Sequence, residues 1–161
     1  MSPARRTAES YDRVPLAALL YATRGTYTAA IQRAQAKVGC DDVPASGEPI
    51  LSAMEWSGAS LEEVIRRLGV TKQAVSQSVE TLVARGYLER ARDGSDRRKV
   101  TLSLTARGRV AGKAARAAIE QVDHDLQARV GADSIRRTRA TLVALLEVKR
   151  KSQAQEAEER E

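Results

Sequence analysis

Residues 60–108 read SLEEVIRRLGVTKQAVSQSVETLVARGYLERARDGSDRRKVTLSLTARG, and their pattern decides the fold. Leu61, Val64, Ile65 and Leu68 recur at helical spacing. Ser60 stands three residues before Glu63, so hydroxyl and carboxylate can each satisfy an orphan backbone N–H of the first turn. Gly69-Val70 makes a turn, and Thr71 can cap a second helix running to Arg85. On that helix Val75, Ser78, Val79 and Leu82 share one face, while Gln73, Gln77, Glu80 and Ala84 fall opposite, with Lys72 and Ser76 on the flank. Gly86 ends it. Residues 87–91 and 99–104 then alternate with period two and pair as a hairpin, with Val100, Leu102 and Leu104 turned toward a core.

Two short helices joined by a tight turn place the start of the second in a DNA major groove. The outward residues are suited to contact there. Gln73 and Gln77 can bond bidentately to adenine, Lys72 donates to guanine or phosphate, and Thr71 and Ser76 can do either. The hairpin tip adds Arg92, Arg97 and Arg98 beside Asp93 and Asp96. A guanidinium on a thin loop can enter a narrow minor groove, where negative potential concentrates. Asp93 or Asp96 pairing with a neighbouring arginine would stiffen the loop and leave another arginine free to insert.

Charge is distributed accordingly. The chain of 161 residues carries a net +6. Residues 60–110 hold eleven basic against six acidic side chains, whereas residues 1–59 are balanced at six and six. The excess thus sits on the segment expected to meet phosphates.

Outside this segment the chain is helical. A first helix begins near Pro15 and carries an apolar row through Leu16, Leu19, Leu20, Thr23, Tyr27, Ala30, Ile31, Ala34 and Val38, with Gly39 as its stop. After a linker over residues 40–49, a short helix turns Ile50, Leu51, Met54 and Trp56 inward. Beyond the hairpin, Thr105 caps a long helix with an expected inward row of Val110, Ala114, Ala117 or Ala118, Val122, Leu126 and Val130. Gly131 interrupts it, and a last helix spans 132–150. The expected fold is mainly α with a small β-hairpin wing, a winged helix-turn-helix between long N- and C-terminal dimerisation helices. It makes one domain over 13–150: the reading unit at 50–108, the dimerisation helices at 13–39 and 105–150, a flexible arm at 1–12 and a frayed tail at 151–161. Long helices with apolar rows need a second copy to cover them, and two-fold pairing suits palindromic DNA.

Other classes find little in the sequence. No run of eighteen apolar residues exists to span a membrane. One cysteine, Cys40, excludes an intrachain disulfide and suits a cytoplasmic location. With His124 the lone histidine and Cys40 the lone cysteine, a zinc centre of nitrogen and sulfur ligands has too few donors. No nucleophile with an accompanying histidine and no phosphate-cradling glycine loop appears, so neither an enzyme nor a cofactor is expected.

Gly86-Tyr87-Leu88-Glu89-Arg90, Asp93-Gly94-Ser95-Asp96-Arg97-Arg98 and Val100-Thr101-Leu102-Ser103-Leu104-Thr105-Ala106-Arg107-Gly108 together resemble the MarR family of winged-helix regulators. The likeness covers roughly residues 12–150 and is strongest over 60–108. It implies a homodimer, held by the first and last two helices, that binds a pseudo-palindromic operator and usually represses. It makes Arg97 the minor-groove residue and Asp96 the one that positions the wing. Gly94 departs from the pattern, because family wings frequently carry proline there.

The resemblance also implies a small aromatic or phenolic effector in a cleft lined by Tyr21, Tyr27, Met54, Trp56 and neighbours such as Val110. Two alternatives stay open: a winged helix turned to protein contact, and a redox-sensing regulator acting through Cys40. Cys40 follows a helix C-terminus and precedes Asp41-Asp42, both of which disfavour a thiolate.

Overall fold

The computed structural model describes residues 11–57, 72–92 and 100–158. The Ser60–Glu63 capping box, the first helix of the reading unit, Thr71 and the wing tip with Asp96, Arg97 and Arg98 lie outside the described residues.

Among the described residues, five helices and one hairpin follow in order: α1 (Leu16–Ala36), α2 (Glu48–Ser57), α3 (Lys72–Ala84), β1 (Leu88–Arg92), β2 (Val100–Leu104), α4 (Ala106–Val130) and α5 (Ala132–Glu158). The strands pair antiparallel, with Leu88 opposite Leu104 and Arg92 opposite Val100. α4 is the spine: it packs along α1 and α2, touches β2 and meets α5 at its far end.

α1 starts where Pro15 caps it and stops by a left-handed glycine. Gly39 has φ +73°, the Gly39 N–H donates to the Ala36 carbonyl at 3.2 Å, and the Cys40 N–H donates to the Gln35 carbonyl at 2.9 Å. This is the paired closure of a Schellman cap, in which the residue after the glycine turns back against the helix. α3 ends the same way: Gly86 has φ +72°, its N–H donates to Val83 at 3.0 Å, and the Tyr87 N–H donates to Leu82 at 2.8 Å. Both caps send the next side chain inward. Cys40 and Tyr87 join one buried cluster with Ile50, Leu51, Met54, Val75, Val79, Leu82 and Leu88. The expected face of α3 is that observed, and on α2 Ile50, Leu51 and Met54 point inward as expected, the Trp56 side chain lying outside the described residues. Leu102 and Leu104 pack against the same cluster from the hairpin.

α4 departs from expectation. Its buried residues are Gly108, Ala111, Gly112 and Ala115, whereas Val110, Leu126 and Val130 of the expected inward row are exposed. Close approach explains the change of face. A Cβ at Gly112 would lie 2.9 Å from Glu55 Cβ, so the face without bulk is the one that lets α4 lie against α2. Val110, Leu126 and Val130 of α4 then point away from the core.

α5 is also longer than expected. The segment read as a tail continues the helix to Glu158. Residues 151–158 are Lys, Ser, Gln, Ala and Glu, mostly strong helix formers, and contain neither glycine nor proline. Absence of an apolar face removed the reason for docking, not the reason for helix.

Candidate nucleic-acid interface

α3 carries the candidate base-reading surface. Val75, Ser78, Val79 and Leu82 are buried, which leaves Gln73, Ser76, Gln77 and Glu80 exposed on the opposite side. Lys72 is the first residue of the helix. Four polar side chains within two turns therefore face outward, with Gln73, Ser76 and Gln77 nearest the end where a groove would be entered. Arg92 closes β1, from which the wing tip departs.

The wing is held to α3 by hydrogen bonds at its base. The Thr105 hydroxyl donates to the carbonyl of Gly86 at 2.6 Å and accepts from the Gly108 N–H at 2.9 Å. The Thr105 N–H donates to the Tyr87 carbonyl at 3.1 Å. One residue thus caps α4 and fastens the exit of α3 to the exit of β2.

A second group lies beside it. Asp42 Oδ1 accepts from the Tyr87 hydroxyl and from Arg107 Nη2, the latter at 2.8 Å. Arg107 Nη1 donates to the Arg85 carbonyl at 2.8 Å, and its guanidinium stacks over the Tyr87 ring, 4.4 Å from the centroid. Arg85 Nη1 in turn donates to the Asp42 carbonyl. The Tyr87 hydrogen bond, aided by Arg107, holds the Asp42 carboxyl below the usual carboxylate range. Burial, then the Asp42 carboxylate, pushes the Tyr87 hydroxyl up. Sequence reasoning missed Asp42, Arg85 and Arg107 as a unit. Arg85 and Arg107 lie 43 and 65 residues from Asp42, and only the two glycine caps hint that their loops converge.

The residues expected to line an effector cleft are placed in different settings. Tyr21 is 80% exposed, and Met54 belongs to the core cluster. Trp56 lies within α2, but its side chain is outside the described residues. Tyr27 is half-buried and donates to Asp123 Oδ1 of α4 at 2.5 Å, while Arg139 of α5 reaches Asp123 Oδ2 at 3.3 Å. Burial, then this hydrogen bond, pushes the Tyr27 hydroxyl up to about 12. Val110 is exposed on α4. Cys40 is 2% exposed and lies within the core, away from solvent oxidants. His124 is on the open side of α4.

A buried polar pair joins the first helix to this unit. Gln35 Nε2 of α1 donates to Glu48 Oε1 of α2 and approaches the Ala111 carbonyl of α4 at 3.5 Å. Burial pushes the Glu48 carboxyl up, partly offset by hydrogen bonds from Gln35 and Ser52. The folded chain therefore holds this proton more tightly than the unfolded chain. Ionising it costs stability as pH rises from the ordinary glutamate value, about 4.3, through the raised one. Glu48→Gln should raise the melting temperature relative to the native chain, by a margin that grows across that window and then levels. Melting curves of both proteins between about pH 4 and pH 8 check this, and a margin independent of pH contradicts it.

Three helices around a core, closed by an antiparallel hairpin and followed by long helices, define a winged-helix protein. Residues 49–99 match the family model described as "MarR family". Among solved structures the fold matches the Mycobacterium tuberculosis MarR family protein Rv2887 in complex with salicylic acid, at 29% identity and a TM-score of 0.53, covering 83% of this chain and 98% of that one. It also matches the M. tuberculosis transcriptional regulator MosR in complex with DNA, at 25% identity and a TM-score of 0.58, covering 83% and 96%. A third match is NMB1585, a MarR family regulator from Neisseria meningitidis, at 25% identity and a TM-score of 0.57, covering 75% and 86%. No curated protein matches the chain. Residues 49–99 are thus similar to the MarR family, and the fold is that of a winged-helix protein.

Proposed function

We propose that the chain is a DNA-binding transcription regulator that works as a homodimer on a pseudo-palindromic operator, most simply as a repressor. The observation that carries this reading is the two-faced α3. Its apolar side is locked into the core while Gln73, Ser76 and Gln77 are presented outward, beside a hairpin that leads to an arginine-rich tip. The DNA complex of the similar MosR supports the same use of the fold. Thr71, Lys72, Gln73, Ser76 and Gln77 would meet the major groove. Arg92, Arg97 and Arg98 would approach the minor groove, with Asp96 ordering the tip. A wing devoted to protein contact would have no need of that many guanidinium groups.

Dimerisation is supported by what a single copy leaves uncovered. Leu16 on α1, Leu126 and Val130 on α4, and Leu142, Val143, Leu145 and Leu146 on α5 are all exposed. Apolar surface on this scale is unusual for an isolated soluble chain and marks an interface. Among the described residues no helix is long and apolar enough to cross a membrane. The salicylic acid complex of Rv2887 supports a phenolic effector as a second element of the reading, with Tyr27 the half-buried aromatic nearest the junction of α1, α4 and α5. A cysteine switch is disfavoured by the burial of Cys40.

Arg97→Ala should weaken operator binding by about 1–3 kcal/mol, the cost of a lost groove contact. Gln73→Ala and Gln77→Ala should instead relax sequence preference more than they reduce total binding. Selection of duplexes by each variant, followed by equilibrium titration, separates the two effects. Arg97→Ala with native affinity in a folded dimer, or glutamine variants with native preferences, would remove those residues from the interface.

A further inference from the structure

We propose that Asp42 is a positioning residue for DNA recognition: it clamps the wing base to the recognition helix and so sets the angle between them. This rests on the DNA-reading proposal and adds to it a residue outside the helix-turn-helix and the wing. The four partners come from four different places. Asp42 lies in the loop leaving α1, Arg85 at the exit of α3, Tyr87 at the entry to β1, and Arg107 in the first turn of α4 after β2. A single carboxylate oxygen accepts from both Tyr87 and Arg107, and Arg107 spans on to the Arg85 carbonyl. The two ends of the hairpin base and the end of α3 are therefore tied to one point.

The energetics favour a role in orientation over a role in stability. The Asp42 and Arg107 side chains are about two-fifths exposed, at 43% and 42%, and ion pairs in such settings contribute little to folding. The core beneath is complete without them, since Tyr87 is packed by its ring and capped by its backbone. What Asp42 adds is directional. Guanidinium stacking on Tyr87 and two hydrogen bonds converging on one oxygen leave the hairpin little freedom to swing about Thr105. Small errors in that angle move a wing tip by far more than they move its base, so contacts made at the tip are the ones at stake.

The test uses the full chain and a duplex first selected with the native protein. Asp42→Ala should lower affinity by about tenfold, the low end of the cost of lost groove contacts. In a hydroxyl-radical footprint, protection should fade at the outer flanks, where wings sit, and persist over the two central segments. In the free protein, amides of residues 88–92 and 100–104 should exchange faster with deuterium while those in the middle of α4 are unchanged. Asp42→Asn, which keeps an oxygen to accept from Tyr87 and Arg107, should restore most of the affinity. If Asp42→Ala fails to fold, Tyr87→Phe removes only the hydroxyl and should give the same flank-selective loss in weaker form. Native affinity and native flank protection in a folded alanine variant would overturn the proposal. So would uniform loss over flanks and centre with no recovery in Asp42→Asn. A native chain that selects no duplex would instead defeat the DNA-reading proposal, and the exchange comparison alone would then decide the clamp.

Discussion

Gly108→Ala should be among the most damaging single substitutions in the chain. A Cβ built on Gly108 would overlap the Tyr87 carbonyl oxygen and lie 3.0 Å from its carbon and 3.2 Å from Leu104 Cδ2. The obstructing oxygen belongs to backbone and accepts from the Thr105 N–H at 3.1 Å, so it has little room to retreat. Alanine is the better helix former, which leaves steric conflict as the cause of any loss. Overpacking a side chain typically costs about 1–3 kcal/mol, and a clash with fixed backbone should reach about 3 kcal/mol or more. For a chain of this size that corresponds to a fall in melting temperature of roughly 10 °C. A thermal melt within about two degrees of the native protein would contradict the close approach of α4 to the wing base.

Leu142→Glu combined with Leu146→Glu should convert the protein to a monomer and abolish tight operator binding. Both leucines lie on one face of α5, four residues apart, and are about two-fifths exposed at 38% and 42%. Fully burying a leucine is worth about 1.5–3 kcal/mol, so covering the two-fifths left exposed stabilises an interface by about 0.6–1.2 kcal/mol for each, and a buried unpaired carboxylate reverses the sign. Two-fold symmetry doubles the effect, since each substitution occurs in both protomers. With one reading head in place of two, affinity for a full operator should fall about a hundredfold or more, as lost avidity implies. Sedimentation equilibrium and operator titration check the two halves of this expectation. A double variant that stays dimeric would place the interface elsewhere.

The parts of the fold legible from sequence are those whose causes are local. Gly39 and Gly86 announce helix ends because the left-handed turn each requires strains any other residue. Thr105 announces a cap, and the alternation from Val100 to Leu104 announces a strand with a buried side. The face of α3 followed from helical period alone. What could not be read were features set by packing between distant segments. The burial of Gly108, Ala111, Gly112 and Ala115 inverted the usual rule that large apolar residues mark the inward row. Gln35 and Glu48 look like solvated residues until α1, α2 and α4 are brought together around them. Asp42 reads as one of a pair of linker acids, and its role depends on Tyr87 and Arg107, far along the chain. Of the candidate DNA contacts, Gln73, Ser76 and Gln77 are exposed where helical period put them. The arginines of the wing tip, Arg97 and Arg98, lie outside the described residues, and their role rests on charge and spacing as a proposal.

The most direct test of the DNA-reading dimer is an equilibrium titration of the native chain against duplexes it selects from a random pool, repeated at increasing salt with stoichiometry recorded. The expected result is two protomers per selected site, a pseudo-palindromic consensus, and an association constant whose logarithm falls linearly with the logarithm of salt concentration. A protein that remains single, enriches no sequence, or binds with an affinity indifferent to salt would contradict it.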